Sequence, residues 1–172
     1  LVHNGTQQRL MLRPGTAQVG RAQTAQIRTM HQSVSRVHAE VIVEQHPGLL
    51  SQVVPLAVHI VDRSSTGHTF VNGRPTLGKG VPTPLADGDL LAFGNDPGTY
   101  TVRWSPVVLS YSSRMQAQEV QAMEALARAA GVFLTPEWTP DCTHLLMEQL
   151  AITPKLLCCV AHGGVAVAAS FL

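Results

Sequence analysis

Charge is scarce in this chain: 13% of its 172 residues are Asp, Glu, Lys or Arg, against 45% apolar. That balance excludes a chain disordered by composition, which needs low hydrophobicity and high net charge. With 12 basic and 11 acidic residues the net charge is +1, so the strongly basic stripe of a nucleic-acid binder is missing. Long apolar runs are missing too. The stretch from Ala151 to Leu172 comes nearest to the roughly 18 residues of a membrane span, but Lys155, His162 and glycines interrupt it. No basic segment leads into an apolar one, so no signal peptide is visible, and the opening Leu1 suggests a fragment. Cysteine is limited to Cys142, Cys158 and Cys159. An odd, sparse set without a secretion signal argues for a reducing compartment rather than a disulfide scaffold. On a helix Cys158 and Cys159 would point about 100° apart, and Cys142 and His144 lack two further ligands. The expectation is therefore buried free thiols, with no metal and no cofactor.

What is present changes character once. Over the first hundred residues, short alternating apolar runs recur at Arg9–Leu12, Val37–Glu44, Val53–Val61, Thr69–Val71, Asp89–Phe93 and Thr99–Trp104. Turn pairs such as Pro14-Gly15, Asn72-Gly73 and Asp87-Gly88 separate them. Many short strands with frequent turns indicate an all-β sandwich, and Asn72-Gly73 is a strong hairpin signal. The remainder reads as α/β. Val107–Ser110, Thr143–Met147 and Val165–Ala168 are short apolar strands. Gln116–Ala130 is a helix with Val120, Met123, Leu126, Ala127 and Ala130 on one face, stopped by Gly131. Thr153-Pro154 caps a second helix over Lys155–His162. The order β-α-β-α-β implies a small parallel sheet, so the chain divides into 1–105 and 106–172 with only Ser105-Pro106 between the halves.

Three loop clusters end strands of the first half: Val19-Gly20-Arg21, Ser35-Arg36-Val37-His38, and the run from Asp62 through Ser64-Ser65-Thr66 to Thr69-Phe70-Val71-Asn72-Gly73. Loops at one end of a rigid sandwich commonly carry the binding site. Arg21 offers a planar fork of donors, while Ser35 and Thr66 offer hydroxyls. A phosphorylated side chain carries about −1.5 to −2 charges and three acceptor oxygens, which such a set satisfies without a metal. His38 reads as a brace for the Ser35 loop.

Together these clusters, with Thr69-Phe70-Val71-Asn72-Gly73 and Asp87-Gly88-Asp89 before Leu90–Gly94, resemble the forkhead-associated (FHA) domain over residues 1–105. The resemblance implies an eleven-stranded β-sandwich that reads phosphothreonine in partner proteins. It makes Arg21, Ser35 and Thr66 the phosphate contacts and sets Arg36 beside the pocket. Gly20, His38 and Asn72 become structural supports. One departure stands out: Gly67-His68 occupy the places where the family usually has Asn-Gly, so the Asn that grips the peptide backbone is absent.

Trp138-Thr139 and Asp141-Cys142-Thr143-His144-Leu145-Leu146, with Gly131, Lys155 and Gly163-Gly164-Val165, resemble a BRCT repeat over 106–172. BRCT repeats that bind phosphoserine place a Ser or Thr after the first strand and a Lys at the second helix. Here Ser112 or Ser113 and Lys155, one of only two lysines, hold those places. Gln116-Ala117-Gln118-Glu119 stands where a glycine is usual. The direct FHA–BRCT fusion resembles the adaptors of DNA double-strand-break repair. That resemblance implies a non-catalytic phosphoprotein-binding adaptor in repair and checkpoint signalling, in the nucleus. Its partners would be phosphorylated damage-response proteins, with nuclease–ATPase subunits engaged through regions outside this chain and no direct nucleic-acid or membrane contact. An FHA–BRCT adaptor of cell-cycle or transcription control is the alternative. An enzyme would need Cys142, His144 or His162 to find an orienting third residue, and none accompanies them.

Overall fold

Within the first half, alternation decides which face of each strand is buried. Ala39, Val41 and Val43 are buried while Glu40 and Ile42 between them are not, the period-two pattern of a strand with one face on a core. The computed structural model describes residues 1–46, 48–65 and 67–168. The chain falls into two units, the first being Leu1–Glu44 with Leu56–Trp104 and the second Gln45–Pro55 with the chain from Ser105 onward.

The first unit holds ten strands among its described residues: β1 (Val2–His3), β2 (Gly15–Gly20), β3 (Ile27–Arg28), β4 (Ala39–Val43), β5 (Val58–Asp62), β6 (Thr69–Val71), β7 (Arg74–Pro75), β8 (Thr83–Leu85), β9 (Leu90–Phe93) and β10 (Thr99–Thr101). They form two five-stranded sheets, ordered β3-β2-β4-β5-β8 and β1-β10-β9-β6-β7. Val19, Ile27, Ala39, Val41 and Ile60 from one sheet meet Leu91, Phe93 and Tyr100 from the other in a single buried cluster. The sandwich is therefore present, with ten strands among the described residues where the resemblance implied eleven. Arg9–Leu12 forms no strand; Arg9 makes only an isolated bridge to Val2. The run expected from Val53 starts as a strand only at Val58. At the Asn72-Gly73 turn both residues have positive φ, 52° and 75°. That conformation joins β6 to β7 with the twist a two-residue hairpin needs.

The second unit has four parallel strands, β11 (Val108–Tyr111), β12 (Phe133–Thr135), β13 (His144–Leu146) and β14 (Val165–Val167), in the order β12-β11-β13-β14. Helices α1 (Ala117–Ala130) and α2 (Pro154–Ala161) make the crossovers. Strand β12 was not expected. It is three residues long and fully buried, too short to show a period, yet it pairs Phe133–Thr135 with Val108–Ser110. Leu109, Met123, Ala127, Leu134 and Leu146 form the core with Leu50. Gln116 begins α1, its N–H donating to Glu119 Oε2 at 2.7 Å. Gly131 ends the helix by donating to Ala127 O and Arg128 O. Thr153 Oγ1 accepts from the Leu156 N–H at 3.2 Å ahead of Pro154. Leu126, expected on the apolar face, is 51% exposed.

One segment departs from a single division near residue 105. Gln45–Pro55, which lies in sequence between β4 and β5, belongs to the second unit. Arg128 Nη1 donates to His46 O at 2.8 Å and Gly48 O at 3.1 Å, and the Leu134 N–H donates to Leu50 O at 3.0 Å. The thiols divide as well: Cys142 and Cys159 are buried, but Cys158 is exposed.

Candidate phosphopeptide-binding site

The site is built from the ends of β2 and β5 and the loop that precedes β4. Gly20 closes β2 where the backbone of the next loop passes against it. A Cβ there would lie 2.2 Å from Arg36 O and 2.8 Å from Ser35 O, so only glycine fits. This approach lets the Arg21 N–H donate to Ser35 O at 3.1 Å and the Ala22 N–H to Arg36 O at 3.0 Å. These backbone bonds bring Gly20, Arg21, Ser35 and Arg36 together. The Arg21 side chain is exposed, and its Nε donates to Val34 O. That bond aims the guanidinium and leaves its two terminal nitrogens free to grip an anion from two directions.

His38 lies fully buried beneath this loop. The Ser35 N–H donates to its Nδ1 at 3.1 Å, so that nitrogen carries the lone pair and Nε2 carries the proton. Nε2 in turn donates to His68 O at 3.3 Å. One imidazole therefore ties the Ser35 loop to the Gly67-His68 turn. Burial pushes its pKa below the ordinary imidazole value, outweighing the opposing pull of the His68 carbonyl and of Asp62.

The third loop is held by a residue that sequence reasoning left without a role. Asp62, at the end of β5, is 1% exposed. Its carboxylate accepts from the Ser64 N–H at 2.7 Å and the Thr69 N–H at 3.0 Å, drawing the turn closed. Burial alone would raise this carboxyl, but the hydrogen bonds from Ser64 and Thr69 hold it below its ordinary value. Asp followed by Ser two residues on is the signature of a side chain that caps its own turn, and that signal was available. Thr66 lies outside the described residues. Its neighbour Ser65 comes to Ser35 instead: the Ser65 N–H donates to Ser35 Oγ at 3.1 Å and the two hydroxyls lie 3.1 Å apart. Lys79 Nζ donates to Ser65 O at 3.3 Å. Nothing in the sequence announces Lys79, because a bridge to Asp62 across the fold brings it there. Arg63, which follows Asp62 in this loop, is paired with Glu40 at 3.0 Å. Asn72 stands apart from the loops: its amide donates to Asp89 Oδ1 at 2.8 Å and its Oδ1 accepts from the Leu90 N–H at 2.9 Å, tying the hairpin to the following turn.

In the second unit Ser112, Ser113 and Lys155 line one groove of about 390 Å³ with Arg114, Glu137 and Thr153. The ammonium of Lys155 is directed at backbone, donating to Tyr111 O at 3.1 Å and to Pro136 O. Ser112 Oγ accepts from the Arg114 N–H at 3.3 Å. Neither serine caps α1, whose N-cap is Gln116. Among the described residues no group of three or more His, Cys, Asp or Glu is arranged to hold a metal. No helix among them is long and apolar enough to cross a membrane.

Residues 17–94 match the family model described as the FHA domain. The first unit is an FHA domain. The similarity extends beyond this FHA domain to most of the chain. A nibrin homologue from Oryza sativa subsp. indica is 32% identical over 162 residues, covering 89% of this chain and 29% of that protein. Nibrin from Gallus gallus is 33% identical over 145 residues, covering 84% of this chain and 19% of that protein. The chain thus resembles nibrin while spanning under a third of the length of these relatives. The solved FHA/BRCT-repeat domain of S. pombe Nbs1 has the same fold, with a TM-score of 0.77 at 18% identity over 98% of this chain and 55% of that one. The second unit accordingly has the BRCT fold behind the FHA domain.

Proposed function

We propose that this chain is a non-catalytic adaptor whose FHA loops read phosphothreonine on protein partners in the nuclear response to DNA double-strand breaks. The observation that carries this reading is the convergence of the Arg21 guanidinium, the Ser35 hydroxyl and the Ser65 turn on one exposed face, braced from beneath by His38 and Asp62. Arg21 supplies the bidentate charge, Ser35 and Thr66 the hydroxyl donors, and exposed Arg36 meets the peptide beside the phosphate. The likeness to nibrin supports double-strand-break repair as the setting and phosphorylated damage-response proteins as partners, with nuclease–ATPase subunits bound by other parts of the longer protein. The BRCT groove at Ser112, Ser113 and Lys155 serves as a second interaction surface. Phosphate binding there would draw on the one ammonium donor of Lys155 that the Tyr111 and Pro136 carbonyls leave unused.

The test is calorimetry with a pool of peptides carrying a central phosphothreonine, run beside its unphosphorylated twin. Charge-assisted hydrogen bonds contribute about 1.5–3 kcal/mol each. Arg21→Ala is therefore expected to weaken phosphopeptide binding by about tenfold or more and leave the melting temperature unchanged. Equal binding of both pools, or an unaffected Arg21→Ala variant, overturns the reading.

A further inference from the structure

The charge around the FHA loops exceeds what Arg21 accounts for. Of the cations near the Asp62–Thr69 turn, Arg63 is neutralised by Glu40 at 3.0 Å. Lys79 has no carboxylate partner among the described residues. It is one of two lysines in a chain that otherwise uses arginine. Its position is imposed rather than incidental. The segment Gly78-Lys79-Gly80 is laid along the end of β5 by the bridge between Asp62 and Lys79 and by the Gly80 N–H donating to Asp62 O at 2.9 Å. Glycine stands on either side of it, so the residues next to Lys79 in the chain carry no side chains of their own. The ammonium then reaches Ser65 O at 3.3 Å, the residue whose N–H holds Ser35 Oγ. Of the three donors on an ammonium, the Ser65 carbonyl takes one and two remain. The same charge lowers the pKa of His38 beneath the loop, which sets it within electrostatic reach of the pocket floor.

We propose that Lys79 is a second cationic phosphate contact of this pocket, reaching a bound phosphothreonine from the Ser65 turn. The proposal rests on the phosphopeptide reading of the FHA loops and adds to it a specificity for the doubly ionised phosphate. A single arginine fork neutralises about one charge of a group that carries up to two near pH 7. The Lys79 ammonium beside the hydroxyl donors, held only by the Ser65 carbonyl among the described residues, supplies the remainder as a point charge.

The experiment compares wild type, Lys79→Gln and Lys79→Arg for binding to the phosphothreonine peptide pool and its unphosphorylated twin, at pH 7 and at pH 5, with melting temperatures measured alongside. The phosphate loses its second charge on passing below about pH 6. Lys79→Gln is expected to bind about three- to tenfold more weakly at pH 7 with an unchanged melting temperature, since partly exposed charge pairs contribute modestly. Lys79→Arg should recover most of that loss. The ratio of affinities at the two pH values should shrink in Lys79→Gln, because a residue that merely braces the turn would weaken binding equally at both. An unaltered ratio, undiminished binding by Lys79→Gln, or failure of Lys79→Arg to recover it overturns the proposal alone. Failure of the wild type to prefer the phosphorylated pool overturns the phosphopeptide reading and this proposal with it.

Discussion

A methyl group added at Gly20 would sit 2.2 Å from the Arg36 carbonyl oxygen, and backbone cannot give way as a flexible side chain would. Gly20→Ala is therefore expected to displace the Ser35-Arg36 loop at a cost of about 1–3 kcal/mol, the usual range for overpacking. The readout is a lowered melting temperature together with lost phosphopeptide binding; a variant with both intact would show that the loop has room. His38 acts at the same scale through its protonation. It is neutral when folded because burial depresses its pKa below the ordinary 6.5. Below that value the unfolded chain takes up a proton that the folded chain refuses. Stability at this site is thus complete above about pH 6.5 and declines as the pH falls towards the folded pKa. A proton on Nδ1 also removes the acceptor of the Ser35 N–H, so the loop should loosen in the same range. An NMR titration of the imidazole is expected to place its midpoint below 6.5, and a midpoint above that value would contradict the buried neutral tautomer.

Among the elements, the turn from Asp62 to Thr69 is the one on which the site depends, and a single carboxylate closes it. Asp62→Ala would leave the Ser64 and Thr69 N–H groups without their acceptor in a buried setting. Each unpaired buried donor costs about 1–3 kcal/mol. A fall of several degrees or more in melting temperature is expected, with phosphopeptide affinity reduced as Ser65 moves from Ser35. Retention of both would mean that water or another side chain replaces the carboxylate. The elements differ in how plainly the residues announced them. Strand β6 begins and ends where alternation and the Asn72-Gly73 pair put it. Helices α1 and α2 carry their own stop and start residues, Gly131 and Thr153-Pro154. Strands β1, β3, β7 and β12 are two or three residues long. Their strand state comes from the partner they lie beside, and a run of two residues has no period to read.

In the molecule as a whole, the division of the chain is not the one that linear reading suggests. The segment Gln45–Pro55 leaves the FHA strands at Glu44, joins the BRCT core, and returns at Leu56. Leu50 is 6% exposed there, and the ring of His46 meets Phe133 edge to face at 5.2 Å. A fragment ending at Trp104 keeps this segment but loses Arg128, Phe133 and Leu134, on which it is held. Limited proteolysis is expected to cut the fragment between Gln45 and Pro55 and to spare that segment in the full chain. Equal resistance in both would show that the segment is ordered without those partners.

Local chemistry was enough to determine the class of each half and the hairpin and helix ends, and to propose the residue types of a phosphate pocket. Those depend on side-chain periodicity, on glycine and proline, and on donors that must sit in loops. Tertiary structure alone decided that Ser65 approaches Ser35, that Lys79 reaches Ser65, that Arg63 is occupied by Glu40, and that Lys155 faces carbonyls. It also decided that Gln45–Pro55 serves the BRCT core. Each of these is a pairing between residues far apart in the chain. Such pairings follow from how strands register against one another, and no single stretch of sequence contains that information.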